Sequence, residues 1–355
     1  MSRPLISIVV PAYNVVEYLS DAIESVISQW DNDWELIIVN DGAVDGAYSL
    51  LEEYKLKINS DRFVVIHKDN EGLVAARNSG VESARGEYLV FLDGDDFFVP
   101  KRLNLIKFCL KEHSPDCLII DFNYYDDDGG GFYANSMHKR LEPRKLLLVS
   151  DNTVAAVYEN AQVYLWKHIF RKSIFKKCPA PEGRHYEDIS TIPSLVSECQ
   201  TVFYLPAKVV YYRQRVGSIM KVKNQKNILD LSSSLNMVTD NLKKSKLSMS
   251  KELALQHSIF ALKVFTWACG DTLSNKSLSP RELYPVFVNN FNYTNLVNLD
   301  DLKYGMKDDM KTWRKFYMFY NYPSSFYLAF YLRHHFNRAY KLLNKLRNFI
   351  FHLSN

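Results

Sequence analysis

The first 125 residues alternate between strand and helix patterns, and this alternation constrains the fold more than any other feature of the sequence. Residues 5–11 form a continuous apolar, β-branched run, which predicts a strand buried on both faces. Residues 18–29 then carry apolar side chains at helical spacing. Further strands are predicted at 35–39, 63–67, 87–92 and 117–122, and further helices at 47–58, 72–84 and 100–112. This order predicts an α/β fold in which helices cover both faces of a parallel sheet.

The pattern changes after residue 125. Residues 126–131 (DDDGGG) predict a loop, and a mixed region with strand-like runs at 202–205 and 208–213 extends to about residue 222. Helices are predicted at 227–242, 251–268 and 280–290. We therefore expect one domain over residues 1–222, divided near residue 125, and a helical C-terminal region over residues 223–355.

Composition excludes several classes of protein. With 47% hydrophobic and 24% charged residues the chain is neither disordered nor fibrous. Its five cysteines are scattered without a C-x-x-C pair, which argues against a disulfide framework and a cysteine zinc site and favours a reducing compartment. The first residues do not resemble a signal peptide, and no run of 18 uncharged apolar residues occurs. We expect a protein that stays inside the cell.

The last 45 residues differ in charge from the rest of the chain. Residues 311–355 contain eight Lys or Arg and no Asp or Glu, whereas the remainder holds 36 basic and 40 acidic residues. Aromatic and leucine side chains are interleaved with these cations, as in helices that lie on anionic membranes. Pro323 interrupts the least charged stretch, so a spanning helix is not expected. The alternative is a helical cap packed on the protein, or an oligomer contact.

Short polar clusters follow the predicted strands, where parallel sheets bind ligands. Pro11, Ala12 and Tyr13 end the first strand, and an aromatic ring there suits base stacking, although a capped turn with a packed Tyr is the simpler interpretation. Asn40 and Asp41 end the second, where a side-chain oxygen can accept from the N–H of a uracil; the alternative is an Asx turn.

The strongest single motif is the acidic sequence Asp93-Gly94-Asp95-Asp96. Three carboxylates in four residues repel one another unless a cation neutralises them. Their hard oxygen ligands suit Mg²⁺ or Mn²⁺, which would bridge a diphosphate. The alternative is a solvated acidic turn.

Residues 67–80 predict a loop that leads into a helix of small residues. Asn70 lies in the loop, and Arg77 lies on the helix beside Ala75 and Ala76. Small neighbours permit close approach, and the guanidinium fork of Arg77 can bind phosphate or carboxylate. An exposed arginine is the alternative.

Together these motifs resemble the catalytic domain of glycosyltransferase family 2, which has the GT-A fold. The resemblance covers about residues 4–215, in the right order and spacing. The matching segments are PAYN (11–14), VNDG (39–42), HKDNEGLVAARNSG (67–80), GEYLVFLDGDD (86–96) and HYED (185–188). It implies a Rossmann-like mixed sheet, mostly parallel, with a nucleotide-sugar half at 1–125 and an acceptor-side half at 126–222.

The resemblance also implies roles for individual residues. Asp188 would be the catalytic base, with Glu187 beside it, and Asp93 and Asp95 would form the D-x-D motif that binds Mn²⁺ or Mg²⁺. Trp166 and Lys167 would lie on the acceptor side. The nucleotide would contact Pro11, Ala12, Tyr13, Asn40, Asp41, Asn70, Arg77, Asp93, Arg213 and Arg215.

Two departures from the family pattern occur next to each other. Asn40-Asp41 stands where the family often has two aspartates, which leaves open which of the two contacts the base. Ala43-Val44 replaces the usual Ser-Thr, which removes capping hydroxyls.

The implied reaction is inverting, metal-dependent transfer of a hexose or N-acetylhexosamine from a UDP-sugar. The implied acceptor is a saccharide or lipid-linked saccharide in surface polysaccharide synthesis (O-antigen, capsule or lipopolysaccharide), at the inner face of the plasma membrane. No nucleic-acid partner is expected. One alternative is a non-catalytic GT-A binding or scaffold protein, against which the intact Asp93, Asp95 and Asp188 argue. The other is a nucleotidyltransferase, whose basic, glycine-rich phosphate loop is absent.

Overall fold

The computed structural model describes residues 3–29, 31–126, 132–134, 138–158, 161–215, 223–245 and 249–336. It divides into two compact units. The first consists of Met1–Ser218 with Asn241–Ser248, and the second of Ile219–Asp240 with Met249–Asn355. The functional division near residue 222 stays a prediction.

One mixed sheet organises the first unit. Within the described residues its strands are β1 (Ile6–Ala12), β2 (Trp34–Asp41), β3 (Phe63–Lys68), β4 (Tyr88–Phe91), β5 (Phe97–Phe98), β6 (Cys117–Tyr125), β7 (Phe132–Ala134), β8 (Leu146–Leu148), β9 (His168–Arg171) and β10 (Thr201–Arg213). Their order is β3-β2-β1-β4-β9-β6-β10-β5, with β7 beside β6 and β8 beside β10. Strands β3, β2, β1 and β4 are mutually parallel, and all residues of β1 and β2 are buried, as the apolar runs predict.

Two features of the sheet were not evident in the sequence. Strand β9 lies antiparallel between β4 and β6, so the fifth predicted strand does not pair directly with the fourth. The runs at 202–205 and 208–213 belong to one long strand, β10, whose register shifts between Leu205 and Lys208. Pro206 lies at this irregularity. Proline has no backbone N–H to donate to a neighbouring strand, so it is tolerated where the regular strand pairing is interrupted.

Helices connect the strands and continue to the end of the described chain. They are α1 (Val16–Ile27), α2 (Ala47–Ile58), α3 (Leu73–Ser83), α4 (Arg102–His113), α5 (Asp151–Val157), α6 (Lys172–Phe175), α7 (Glu187–Ser197), α8 (Gln225–Ser233), α9 (Asn236–Lys244), α10 (Lys251–Ser274), α11 (Pro280–Thr294), α12 (Leu299–Gly305), α13 (Met310–Asn321) and α14 (Pro323–His335). Short 3₁₀ turns occur at Leu165–Lys167 and Lys307–Asp309.

Helix α3 packs directly on β1 and β2. Gly80 makes this possible, because a side chain at that position would overlap Val9 of β1. The close approach fixes the position of Arg77, which lies one helical turn earlier on α3.

The second unit contains a core of aromatic side chains. Helix α10 is largely buried and packs against α11 and α13, with Phe265 5.9 Å from Phe291 and Phe316 4.8 Å from Phe291 between ring centres. The helix predicted over 227–242 is interrupted after Ser233, where serine hydroxyls donate to carbonyls of the preceding turn. Among the described residues, no helix combines the length and apolar character needed to cross a membrane.

Candidate active site

The polar clusters meet at the carboxyl ends of the parallel strands. Ala12 of β1 pairs with Asn40 of β2, which pairs in turn with His67 of β3. Asp93 follows β4, the neighbour of β1 on its other side. The structure therefore gathers at one edge of the sheet the segments that the sequence placed at strand ends.

The acidic turn after β4 packs against the end of β1. A Cβ atom on Gly94 would lie 3.0 Å from the carbonyl oxygen of Pro11 and from Val15, so a larger residue would separate the two segments. Pro11 and Ala12 are buried, whereas the side chain of Tyr13 is 44% exposed. An accessible ring thus follows the segment on which the acidic turn rests.

Asn40 and Asp41 use their oxygens within the protein. The Asn40 Oδ1 accepts from the backbone N–H of Ala43 at 3.0 Å, and its amide nitrogen lies 3.1 Å from Nδ1 of His67. Asp41 accepts from the N–H groups of Glu71 and Gly72 at 3.1 and 2.8 Å. The Asn40 contact is the Asx turn left open by the sequence, and Asp41 fixes the loop after β3.

Asn70 lies in that loop and is exposed. Its Oδ1 accepts from the N–H of Gly72 at 3.1 Å. The loop held by Asp41 therefore presents Asn70 at the same edge of the sheet as Asn40.

Arg77 is buried at the centre of a carboxylate cluster. Its guanidinium donates to Asp93 at 2.8 Å, to Asp188 at 3.4 Å and to Glu187. Burial alone would lower the pKa of Arg77, but these three carboxylates outweigh it and raise that pKa. The fork thus binds carboxylates, one of the two partners that the sequence left open.

Glu187 and Asp188 form the first turn of α7. Asp188 also accepts from the backbone N–H of Leu165 at 3.0 Å. Burial and the negative charges of Glu187 and Asp93 hold the pKa of Asp188 well above its usual value, although Arg77 and the Leu165 N–H oppose them. Asp188 is therefore a carboxylate with raised proton affinity, as a general base requires.

The backbone just before this pair is strained. Tyr186 has φ +61°, in the left-handed region that non-glycine residues seldom adopt. Strain of this kind persists where the surrounding structure enforces it and is frequent at functional sites.

Two arginines from the end of β10 and its continuation hold the acidic turn. Arg215 donates to the Asp95 carboxylate at 2.6 Å, and Arg213 donates through Nε to the Asp95 carbonyl at 2.9 Å. Arg213 is buried and also binds Asp21 at 2.6 Å. The predicted nucleotide contacts Arg213 and Arg215 thus bind the acidic turn itself.

Asp96 is an incompletely satisfied buried acid. Its Oδ1 accepts from the backbone N–H of Arg213 at 2.8 Å, but Oδ2 has no hydrogen-bond partner among the described residues. Burial and the charges of Asp95 and Asp93 raise the pKa of Asp96 well above its usual value, and burial with Asp93 raises that of Asp95. We call Asp93, Asp95, Asp96, Glu187 and Asp188 the acidic edge.

The acidic edge fits a divalent cation whose coordination is completed by a ligand. Within the part of the chain that the structure describes, no three His, Cys, Asp or Glu side chains form a ready-made metal site. However, burial and, to a smaller extent, mutual repulsion raise the pKa of two acids of this turn, and one buried oxygen is unsatisfied. Mg²⁺ is commonly held by one or two carboxylates together with phosphate oxygens.

Trp166 and Lys167 are buried, as are Asn40, Asp41 and Arg77 among the other predicted contacts. The Trp166 ring stacks on Tyr164 at 4.9 Å, and the fully buried Lys167 ammonium donates to Gln162 at 2.8 Å and lies 3.8 Å from Asp121. These contacts fix the 3₁₀ turn that supplies the Leu165 N–H to Asp188. Sequence reasoning missed Leu165, because a backbone donor leaves no side-chain signal.

Comparison with known proteins identifies relatives of this chain. The family model described as Glycosyl transferase family 2 matches residues 7–176. The uncharacterized glycosyltransferase EpsJ of Bacillus subtilis is 31% identical over 231 residues, which are 62% of this chain and 64% of EpsJ. TuaG of the same organism, named as a proposed teichuronic acid biosynthesis glycosyltransferase, is 42% identical over 94 residues, 26% of this chain and 37% of TuaG. The chain thus spans less than two thirds of either relative.

The solved structures of TarS from S. aureus share the fold. The crystal structure of TarS 1–349 in complex with UDP-GlcNAc matches with a TM-score of 0.65 at 18% identity, over 89% of this chain and 91% of that one. The GT-A architecture with C-terminal helices is therefore common to both.

Proposed function

The chain belongs to glycosyl transferase family 2 through residues 7–176, and from this premise we propose that it transfers a sugar with inversion from a UDP-sugar to a hydroxyl group. The observation that carries the proposal is the Arg77 cluster. One buried guanidinium joins Asp93, on the predicted donor side, to Asp188, the predicted base. A base held this close to the donor side can act on an acceptor hydroxyl at the anomeric carbon.

Asp188 would accept the proton of the acceptor hydroxyl as that oxygen attacks. Its raised pKa makes it a stronger base than an ordinary carboxylate, and Arg77 with the Leu165 N–H orients it. A single displacement at the anomeric carbon needs one base and no protein nucleophile. The anomeric configuration of the transferred sugar would therefore be inverted. Glu187 shares Arg77 and keeps the cluster negative.

On the donor side, Asp95 and Asp93 would hold Mn²⁺ or Mg²⁺. Such a cation stabilises negative charge on the departing diphosphate. Tyr13 offers an exposed ring for the uracil, beside Pro11 and Ala12, and Asn40, Asp41 and Asn70 lie at the same edge. The TarS complex with UDP-GlcNAc supports a UDP-sugar donor, a hexose or N-acetylhexosamine, for the fold that the two proteins share.

The acceptor side is proposed to take a saccharide or lipid-linked saccharide of a surface polysaccharide. The naming of TuaG for teichuronic acid biosynthesis supports this class of product. Trp166 and Lys167 would act on the acceptor indirectly, since their buried contacts fix the turn that supports Asp188.

We further propose that the basic C-terminal segment attaches the protein to the anionic inner face of the plasma membrane. Residues 337–355 lie outside the described part of the chain. In the described part, α13 and α14 bury Trp313, Phe316 and Phe326 within the second unit, while Leu328 and Tyr331 are about half exposed. Sedimentation with anionic vesicles would test the attachment, and truncation after residue 336 should abolish it.

Calorimetric titration with nucleotides and UDP-sugars, with and without Mn²⁺, tests the donor site. We expect metal-dependent binding of UDP that is lost in Asp95→Ala. Absence of any preference for uridine would overturn the donor assignment.

A separate assay tests catalysis. Asp188→Ala should stop hydrolysis of the UDP-sugar and leave UDP binding intact. Unchanged hydrolysis in the variant would contradict the role of Asp188, whereas UDP binding without any hydrolysis by the wild type would favour a non-catalytic binding protein.

A further inference from the structure

A basic cavity lies at the opposite end of β4 from the acidic edge. It has a volume of about 440 Å³ and is lined by Arg3, Glu87, Arg171, Lys172, Ser173 and Lys176. Glu87 precedes β4, and Arg171 of β9 pairs with Tyr88, the first residue of β4. Four of the six lining residues are cations, and one is an acid.

The single acid of the lining is already neutralised. Arg171 contacts Glu87 and also donates to the Tyr88 hydroxyl at 2.7 Å and the Ser114 carbonyl at 2.8 Å. It lies 3.4 Å from Asp116 as well. The guanidinium of Arg171 is therefore used in contacts within the protein and forms part of the cavity wall.

The other three cations keep donors for a ligand. Arg3 donates Nε to the Arg85 carbonyl at 2.5 Å, and the Lys172 ammonium donates to the Ala84 carbonyl. Each has further N–H groups, and Lys176 is exposed. Within the described residues, Arg3, Lys172 and Lys176 form no ion pair with a carboxylate.

The three cations are close enough to repel one another. Burial lowers the pKa of Lys172, and the charges of Lys176 and Arg3 lower it further, although Glu35 opposes them. A bound anion would remove this repulsion.

We propose that this cavity binds a phosphate-bearing anion through Arg3, Lys172 and Lys176. A phosphate group carries more than one negative charge and several acceptor oxygens, which match three cations on a concave surface better than a single carboxylate does. The cavity volume falls within the range of small-molecule sites. The proposal does not depend on the sugar transfer assigned to the acidic edge.

Calorimetric titration of the full chain with inorganic pyrophosphate in EDTA tests the site. EDTA keeps cations from the acidic edge, whose own charges then repel the probe. We expect saturable binding that weakens about tenfold in Lys176→Gln, the loss of one charge-assisted contact. Lys177→Gln is the matched control, because Lys177 is exposed, lies 3.7 Å from Glu198 and does not line the cavity.

A second variant guards against a folding artefact. Arg3→Gln should weaken pyrophosphate binding to a similar extent as Lys176→Gln. Absence of saturable binding to the wild type, or an equal loss in Lys176→Gln and Lys177→Gln, would overturn the proposal.

A vesicle assay distinguishes the two possible sources of the phosphate, a lipid headgroup and a soluble molecule. If the anion is a lipid headgroup, Lys176→Gln should weaken sedimentation with phosphatidylglycerol vesicles more than Lys177→Gln does. If it is a soluble phosphate, the two variants should sediment alike while only Lys176→Gln loses pyrophosphate. The charge of the C-terminal segment is the same in both variants, so it does not affect this comparison.

Discussion

The two ends of the same parallel strands carry carboxylates in different surroundings: one buried acid, Glu35, at the amino ends, and the buried and half-buried acids of the acidic edge at the carboxyl ends. At the amino ends, Glu35 is fully buried and accepts from the Ser7 hydroxyl at 2.5 Å, from the backbone and side chain of Arg85 at 2.6 and 2.8 Å, and from the Gly86 N–H at 3.1 Å. At the carboxyl ends, the acidic edge crowds five acids around Arg77, Arg213 and Arg215 and leaves an oxygen of Asp96 without a partner.

The difference separates structural from functional use of the same chemical group. A buried carboxylate with all its acceptor sites filled stabilises the chain segments that donate to it. Acids that repel one another cost stability until a cation or a proton arrives, so such groups are typical of binding and catalytic sites. The Glu35 network should therefore govern folding, and the acidic edge should govern ligand binding.

The largest expected effect is on catalysis. Asp188→Asn keeps the size of the side chain but removes the base, and it should lower the rate of sugar transfer by about 10²–10⁴-fold. Affinity for UDP should be unchanged. Steady-state assays with Glu198→Gln, at the end of the same helix, provide the control. A rate loss below tenfold would contradict the role of Asp188.

The next largest effect is on stability, and it compares the loss of two arginines, Arg77 and Arg85, that each bind a buried carboxylate. Arg77→Met leaves three carboxylates without their shared cation and should cost about 3–5 kcal/mol of unfolding free energy. Arg85→Met should cost about 1–3 kcal/mol, because Glu35 keeps Ser7 and two backbone donors and the Arg85 side chain is 46% exposed. Urea denaturation measures both, and equal losses would contradict the contrast between the two ends.

A smaller effect depends on pH. Because the pKa of Asp96 is raised in the folded protein, the folded state holds this proton more tightly than the unfolded chain, so ionisation of Asp96 removes stability as pH rises. Asp96→Asn should therefore stabilise the metal-free protein by about 1–3 kcal/mol at pH 7.5 and by less at pH 4.5.

Asp69→Asn is the control for this measurement, since Asp69 is exposed. Denaturation curves of wild type and both variants in EDTA give the comparison. A gain in Asp96→Asn that does not change with pH would contradict the raised pKa of Asp96.

The smallest effect concerns the Glu35 network. Ser7→Ala removes one donor to Glu35 and one acceptor of the Gly86 N–H, which lies 2.8 Å from the Ser7 hydroxyl. The Gly86 N–H keeps its contact to Glu35, so the substitution should lower the free energy of unfolding by only about 1 kcal/mol. UDP binding should not change, and a change in it would show that the two ends are coupled.

Much of the first unit was predictable because its elements have strong local patterns. The helix over 47–58 has the predicted bounds, and the acidic turn lies at the carboxyl edge as expected. Strand β9 was missed because a run of only four residues, His168–Arg171, is too short to show a periodicity.

The individual residues of the candidate site were predictable from the sequence, but the contacts between them were not. The sequence picked out Arg77, Glu187 and Asp188, yet the contact of Arg77 with Glu187 joins residues 110 positions apart. No local pattern specifies such a contact; it follows from the sheet order and from Gly80, which lets α3 lie on β1.

The position of β9 has a consequence for how the chain is made. Since β9 fills the space between β4 and β6, and β10 pairs with both β5 and β6, the first 125 residues cannot complete their sheet alone. A nascent chain released only to residue 125 would leave the edges of β4 and β6 open, and open edges invite pairing with other chains. The two halves of this domain are thus one folding unit, and an exchange of halves between relatives would have to carry β9 and β10 with it.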